Sequence, residues 1–324
     1  MARILPIFIP HEGCPHDCVF CNQRRIAAPV SPDPGEIRER VCAAFEAGLT
    51  SEVAFYGGSF TAIPAERQEA FLAAVEGTGV AVRVSTRPDC IDEAVIERLL
   101  RHRVQTVELG AQSMDDGVLR LANRGHTAED VRRASRLLKD AGFTVVLQAM
   151  AGLPGDRGTW RQTAEELAAL FPDGVRIYPV VVIRDTALYD MWRRGTYQPL
   201  SVPEGADAAA DMLEVFLKYN IPVIRIGLNP TEELSGGAAV AGAYHPALGE
   251  MAHSRIFLRR VLQDLKETSF RGKRLRIGVP RGRVSQMAGV SRENIRKLEE
   301  MGAAGVRIFE DESLYGYAVR TLLE

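Results

Sequence analysis

The sequence predicts an α/β protein: a partial (β/α)6 barrel of the TIM type, followed by a small α/β C-terminal domain. Two patterns point there. Short β-branched runs alternate with amphipathic helical stretches six times over about 190 residues, and apolar runs of this kind suit a parallel sheet covered by helices. The glycine-rich and polar words GGSFT, STRPD, GAQS and GLPGD, like the first cysteine loop, all fall directly after strands. Barrels of βα units gather their chemistry at those strand ends. An open doubly wound sheet is the competing architecture, but no GxGxxG dinucleotide fingerprint follows the first strand.

The elements follow in order. ILPIFIP (4–10) reads as a buried strand entering the cysteine loop, and 33–48 as a helix with Ile37, Val41, Ala44 and Phe45 on one face. Asp33 and Pro34 start that helix and Gly48 stops it. EVAFYGG is a second strand, Pro64 opens a second helix, VAVRVSTRPD is a third strand and 91–100 a third helix. VQTVELGAQS is a fourth strand. Thr127 and Asp130 form a capping box for a helix through Ala141, ended by Gly142. FTVVLQAMAGLPGD and GVRIYPVVV are fifth and sixth strands around a helix at 160–170. The expected division is a core barrel at 1–201, an α/β extension at 202–270, and a basic α/β domain at 271–324.

Composition limits the classes. The chain has 324 residues, 46% hydrophobic and 25% charged, enough to bury a sizeable core. Its net charge of −2 excludes a uniformly basic nucleic-acid binder. MARILPIFIPHEG is too short an apolar run for a signal peptide, and no stretch approaches the ~20 apolar residues of a membrane span. The expectation is a cytoplasmic protein without a membrane partner, where clustered cysteines mean metal or catalysis rather than disulfides.

Cys14, Cys18 and Cys21 sit within GCPHDCVFCNQ, with no fourth cysteine nearby. Three thiolates on one loop can wrap three corners of a cubane iron–sulfur cluster and leave the fourth iron open for a ligand. The alternative is zinc held by the three cysteines with His11 or His16. Cys42 sits in a helix and Cys90 in a strand-to-helix turn, without company for a second cluster.

C-x3-C-x2-C with Phe20 before the last cysteine, behind the first barrel strand, resembles the radical S-adenosylmethionine (SAM) superfamily. VSTRPDCID (84–92), ELGAQSMDDGVLRLANRGHT (108–127), AGLPGDR (151–157) and IYPVVVIRDTALYDMWRRGTYQPLS (177–201) resemble the branch of the Elongator catalytic subunit and oxygen-independent coproporphyrinogen oxidase. The resemblance implies a [4Fe-4S] cluster on Cys14, Cys18 and Cys21, with SAM on the open iron. It also implies that Gly57, Gly58, Ser59 and Phe60 form the turn against the methionine amino group, and that Arg87 and Gln112 lie near SAM. An arginine suits a carboxylate and an amide suits ribose hydroxyls. Arg87 could instead pair with Asp89, Gln148 could face the cofactor or fill the barrel, and His126 could touch substrate or serve helix entry.

The sequence departs from the Elongator subunit in its shorter first cysteine spacing and in showing no acetyl-coenzyme-A-binding loop after residue 201. Residues 202–255 predict a helix at 203–219, a strand IPVIRIGL, and a long loop from Asn229 to Ser254 with Tyr244, His245, Glu250 and His253. That loop is either a substrate lid or a structural connection.

Residues 271–297 hold nine Lys or Arg and one Glu. Their order, strand, short helix, turn, helix, then two strands, resembles a KH domain, whose GxxG loop clamps a nucleic-acid backbone. Arg292 stands where the second glycine would be, and Arg281, Arg283, Arg292 and Lys297 are candidate RNA contacts. A helix-turn-helix or a solvated basic face are the other readings. Together these imply a radical SAM enzyme acting on RNA, with tRNA in view, fed by a one-electron donor such as flavodoxin or ferredoxin. A small-molecule enzyme acting on a tetrapyrrole and a non-catalytic zinc or RNA-binding protein are the rivals.

Overall fold

The computed structural model describes residues 3–9, 14–22, 32–232 and 234–324. His11, a zinc candidate, lies outside them, as does Pro10 at the end of the first strand. The chain runs β1 (Ile4–Ile9), α1 (Pro34–Glu46), β2 (Glu52–Gly57), α2 (Ala65–Val75), β3 (Ala81–Thr86), α3 (Glu93–Arg101) and β4 (Thr106–Gln112). It continues through α4 (Asp116–Leu121), α5 (Ala128–Asp140), β5 (Thr144–Ala151), α6 (Trp160–Ala168), β6 (Gly174–Pro179), β7 (Val181–Ile183) and α7 (Ala187–Arg193). Then come α8 (Val202–Lys218), β8 (Val223–Ile226), β9 (Ala239–Gly242), α9 (Leu248–Asp264), β10 (Arg274–Val279), α10 (Val284–Ala288), α11 (Glu293–Glu300), β11 (Gly305–Glu310) and β12 (Arg320–Leu323).

The main sheet has the order β1-β2-β3-β4-β5-β6-β8, and every pairing in it is parallel. It curls into a half barrel, with β1 and β8 at its edges. This corrects the expected six strands to seven: IPVIRIGL, assigned to the extension, pairs with β6 through Val175–Val223 and Ile177–Ile226. An apolar run shows that a strand is buried but not which sheet receives it.

The helices pack on the outer face. In α3 the spacing of Val95, Ile96 and Leu99 puts all three against the sheet, and burying each such side chain stabilises by ~1.5–3 kcal/mol. The predicted capping box at Thr127 and Asp130 is formed and starts α5. Phe45, expected on the buried face of α1, is 43% exposed and rests its ring beside Gly79, so Ile37 and Val41 anchor that helix. No helix among the described residues is long and apolar enough to cross a membrane.

The stretch from Asn229 to Ser254 is not a continuous loop. It contains β9, which pairs antiparallel with β7, and the start of α9. Helix α9 serves two cores: Ala252 and Ile256 pack with the barrel, while Phe257, Leu258, Val261 and Leu265 pack with Leu275, Ile277 and Leu298 of the terminal unit. Asn294, fully buried, donates to the carbonyls of Ser254 at 2.9 Å and Met287 at 3.0 Å, tying α11 to α9 and α10. Arg255 pairs with Asp207 at 3.0 Å and Glu293 at 2.9 Å, linking α8 to α11. The C-terminal sheet has the order β11-β10-β12, with β10 parallel to β11 and antiparallel to β12.

Candidate active site

A cavity of about 430 Å³ opens at the C-terminal ends of the barrel strands, within the usual size range of a small-ligand site. Cys14, Cys18, Phe20 and Cys21 line it, as do Gly57, Gly58, Ser59, Arg87, Gln112 and Gln148. Phe60 does not. It is buried beneath the glycine turn, with its ring 5.2 Å from that of Phe55, so its role is to seat the turn on the core.

The cysteine loop is held from both sides. Val19 donates its backbone N–H to the Ala122 carbonyl at 3.1 Å and accepts from the Leu188 N–H at 2.7 Å, and Asn123 donates its side-chain amide to the Asp17 carbonyl at 2.7 Å. Asn22 donates to the Arg184 carbonyl at 2.7 Å. The sulfur of Cys14 stands 3.6 Å from the Ser59 hydroxyl, joining this loop to the glycine turn. That turn is tied in its own right to the end of β3, because the Thr61 and Thr86 hydroxyls meet at 2.6 Å and Thr61 also donates to the Cys90 carbonyl at 2.7 Å.

Arg87 is 1% exposed and makes the pair with Asp89 that its sequence suggests, through two bonds of 3.0 and 2.9 Å. The pair does not exhaust it. Its Nη1 is buried without a hydrogen-bond partner while the residue lines the cavity. A buried donor left unmatched in the protein is a place for a ligand acceptor. Gln112 ends β4 at φ +66°, where the β4–β5 register shifts, and this bend turns it into the cavity.

Beneath the cavity the barrel interior is charged. Glu108, fully buried, accepts from Arg83 at 2.6 Å, Arg176 at 2.9 Å, Tyr56 at 3.2 Å and Gln148 at 2.9 Å. Burial pushes its carboxyl up, but Arg176 and Arg83 outweigh burial and leave it below the ordinary glutamate range. An ionised carboxylate only accepts, so the Gln148 amide must present its NH2 group downward. Gln148 therefore fills the barrel interior, the second of its two expected roles, and it also lines the cavity.

His126 lies elsewhere. It is buried outside the cavity lining, and its Nε2 donates to the Ala111 carbonyl at 3.1 Å. Burial, reinforced by the Arg124 charge, pushes it down to about 3. It is a neutral support for the end of β4. Cys90, pushed up to about 11 by burial and by Asp89, is an inert thiol. His245 accepts from the Ala247 backbone at 3.0 Å, and His253 pairs with Tyr317 at 2.5 Å, so neither histidine of the expected lid lines the cavity.

Arg124 was missed from sequence. It is 8% exposed, and its Nη1 donates to Cys18 Sγ at 3.3 Å while Nη2 donates to the Gly110 carbonyl at 2.7 Å. A buried cation is costly without a counter-anion. Among the described residues no carboxylate pairs with Arg124, and the Cys18 sulfur stands in that place. The donor set therefore fits anionic sulfur. The three thiols line one cavity, yet among the described residues no His, Cys, Asp or Glu trio converges as a single ion would require. A cubane, which spreads its irons over several bond lengths, asks for separated thiols. His16 packs its ring on Gly125, where an added β-carbon would stand 2.2 Å from it.

Comparison with known proteins agrees with this geometry. The family model of the radical SAM superfamily matches residues 8–167, and that of the radical SAM C-terminal domain matches residues 172–257. A tRNA uridine(34) acetyltransferase of Methanocaldococcus infernus is 33% identical over 179 residues, 54% of this chain and 32% of that protein. Elongator complex protein 3 of Danio rerio is 33% identical over 181 residues, 55% of this chain and 32% of that protein. This chain thus matches about a third of the length of these curated relatives. Among solved structures, the archaeal Methanocaldococcus infernus Elp3 with an N-terminal deletion shares the fold at TM-score 0.61 and 24% identity, covering 79% of this chain and 63% of that one. Escherichia coli coproporphyrinogen III oxidase shares it at TM-score 0.51 and 16% identity, covering 67% of this chain and 53% of that one. Adjoining matches that run from β1 into α9 make this chain a member of the radical SAM superfamily of enzymes, homologous to the Elongator catalytic subunit.

Proposed function

We propose that the protein cleaves SAM reductively at a [4Fe-4S] cluster held by Cys14, Cys18 and Cys21, and that it uses the reaction to modify an RNA, with tRNA as the substrate class. The observation that carries the reading is the meeting of those three cysteines with the Gly57–Ser59 turn and Arg87 around one cavity. A cluster held by Cys14, Cys18 and Cys21 would deliver the electron for reductive cleavage of SAM, the chemistry by which a hydrogen atom would be taken from the substrate. The chain's own contribution is placement. Gly57 and Gly58 give backbone access, Arg87 Nη1 offers a donor to a carboxylate, and Gln112 and Gln148 offer amides to hydroxyls. A one-electron donor of the flavodoxin or ferredoxin class would supply the electron, in the cytoplasm.

The RNA part of the proposal draws on the relatives named for tRNA uridine(34) and on the terminal unit. Arg281, Arg292 and Lys297 are exposed, and among the described residues no carboxylate pairs with them or with half-buried Arg283. We read this unit as KH-like, with residues 289–292 as its backbone-contacting loop. Ser291 and Arg292 hold φ of +52° and +62°, a conformation that side chains rarely adopt and that costs ~1–3 kcal/mol at each position.

The test has two arms. Anaerobic, reduced protein incubated with SAM should release 5′-deoxyadenosine, faster when tRNA is added. Mass spectrometry of RNA from cells with and without the protein should show one nucleoside that depends on it. Cofactor cleavage that tRNA leaves unchanged, with identical RNA from both cell types, would overturn the RNA substrate and favour a small molecule.

A further inference from the structure

We propose that Arg124 is a positioning residue that raises the reduction potential of the cluster by donating a charge-assisted hydrogen bond from Nη1 to Cys18 Sγ. The inference rests on the reading of Cys14, Cys18 and Cys21 as cluster ligands. Its geometry is a 3.3 Å contact between groups 106 residues apart in sequence. The guanidinium is held in place rather than free to swing. Nη2 is fixed on the Gly110 carbonyl at 2.7 Å, the Arg124 carbonyl accepts from Arg87 Nη2 at 2.6 Å, and its backbone N–H donates to Leu119 at 2.9 Å. Gly125, directly after it, sits at φ +77° with the His16 ring pressed against its backbone, which fixes the chain where Arg124 turns inward.

The charge argument separates Arg124 from its neighbour. Arg87 is neutralised by Asp89. Arg124 has no carboxylate partner among the described residues, and its Nε is buried without a hydrogen-bond partner. Its full positive charge therefore acts on the Cys18 sulfur in a low-dielectric setting, where electrostatic effects are strongest. The Cys14 sulfur, by contrast, has a neutral hydroxyl, that of Ser59, at 3.6 Å.

Reduction of the oxidised cluster by a one-electron donor adds one negative charge to the irons and their sulfurs, and Arg124 gains or loses no proton in the step. A donor and an uncompensated cation at a ligating sulfur favour the reduced state more than the oxidised one. Hydrogen bonds to the sulfurs and net charge are among the known determinants of such potentials. The bond therefore makes the electron easier to accept.

The test is a redox titration of the reconstituted protein, followed by electron paramagnetic resonance, with neither SAM nor substrate present. In Arg124→Gln the midpoint should fall by the equivalent of a tenfold shift in the one-electron equilibrium, about 59 mV. Arg124→Lys keeps a cationic donor and should recover most of that loss. A fully loaded Arg124→Gln protein with the wild-type midpoint would overturn the inference. Should Arg124→Gln lose the cluster, wild-type and Arg87→Lys proteins labelled with [15N-guanidino]arginine settle the question. The reduced cluster must then show a 15N hyperfine coupling that survives removal of the Arg87 guanidinium, and its absence overturns the inference. Wild-type protein that takes up no iron and sulfide would instead defeat the underlying cluster assignment.

Discussion

A β-carbon on Gly57 would stand 2.2 Å from the carbonyl oxygen of Ile9, its register partner across β1 and β2. That same oxygen accepts the Gly58 N–H at 2.9 Å, so the end of β1 and the glycine turn meet at one atom. Gly57 also holds φ +113°, which side chains avoid. Gly57→Ala should therefore lose at least ~1–3 kcal/mol of stability, the cost of such backbone strain, and bind SAM more weakly. Thermal melting and equilibrium dialysis check the two effects. Unchanged affinity in a folded variant would remove the turn from the cofactor site.

Glu108 is the shared acceptor of the charged barrel interior. Removing it in Glu108→Ala leaves Arg83 with Glu52 alone and takes the carboxylate partner from the largely enclosed Arg176, and one-sided loss of a buried pair costs ~3–5 kcal/mol. Its folded carboxyl lies below the ordinary value of 4.5. The stability it contributes is therefore present above that value and is lost as pH falls through the lower, folded one. Urea titrations at pH 7 and below 4 should show the Ala variant's deficit shrinking with acid. A deficit independent of pH would mean that packing, not charge, sets the loss.

How much of this was legible in sequence depends on the range of the interaction. The Thr127–Asp130 capping box is a contact three residues apart, and its signature is local. The cysteine tripod is equally compact. Arg124 reads as one more loop cation because its meaning lies in a sulfur 106 positions earlier. Glu108 sits unmarked in VELG, since its partners come from β2, β3, β5 and β6. His245 and His253 attracted attention as chemical residue types, yet their roles follow from helix entry and from packing on Tyr317.

His126 makes a separate acid-side prediction. Its folded value, about 3, lies below the ordinary 6.5. Between those values the unfolded chain binds a proton that the folded chain does not, so stability is lost by up to ~1.4 kcal/mol per unit as the pH drops through this window. His126→Gln can still donate to the Ala111 carbonyl and should flatten this part of the profile, between pH 6.5 and 4.5, above the range where Glu108 acts. Parallel profiles for the two proteins would show that His126 is protonated in the fold.

The cluster assignment predicts a brown protein when purified without oxygen, with about four irons and four sulfides per chain, the cubane stoichiometry. Cys18 is buried and is the sulfur that Arg124 faces, so Cys18→Ala should abolish the colour. Stoichiometric zinc in colourless wild-type protein under the same conditions would defeat the radical reading.

The RNA proposal makes a quantitative claim about salt. Single strands release counterions on binding, with a log–log slope of about −0.7 per neutralised phosphate. If Arg281, Arg283, Arg292 and Lys297 each meet a phosphate, replacing all four by Gln should flatten the slope by roughly 2–3 units. Their surroundings argue that the fold survives the change. Three of them are exposed, and the half-buried Arg283 donates to the Gln286 side-chain carbonyl at 2.8 Å, within α10 and its cap. The core of the terminal unit is built from other residues, Leu275, Ile277 and Leu298 among them. Arg292→Gly separates charge from backbone. It relieves a left-handed residue and should not lower the melting temperature, while removing one phosphate contact. Iron content and cofactor cleavage without RNA should be unchanged in both variants. A folded quadruple variant with the wild-type slope would show that these cations face solvent, and the loop at 289–292 would then need another explanation for its strain.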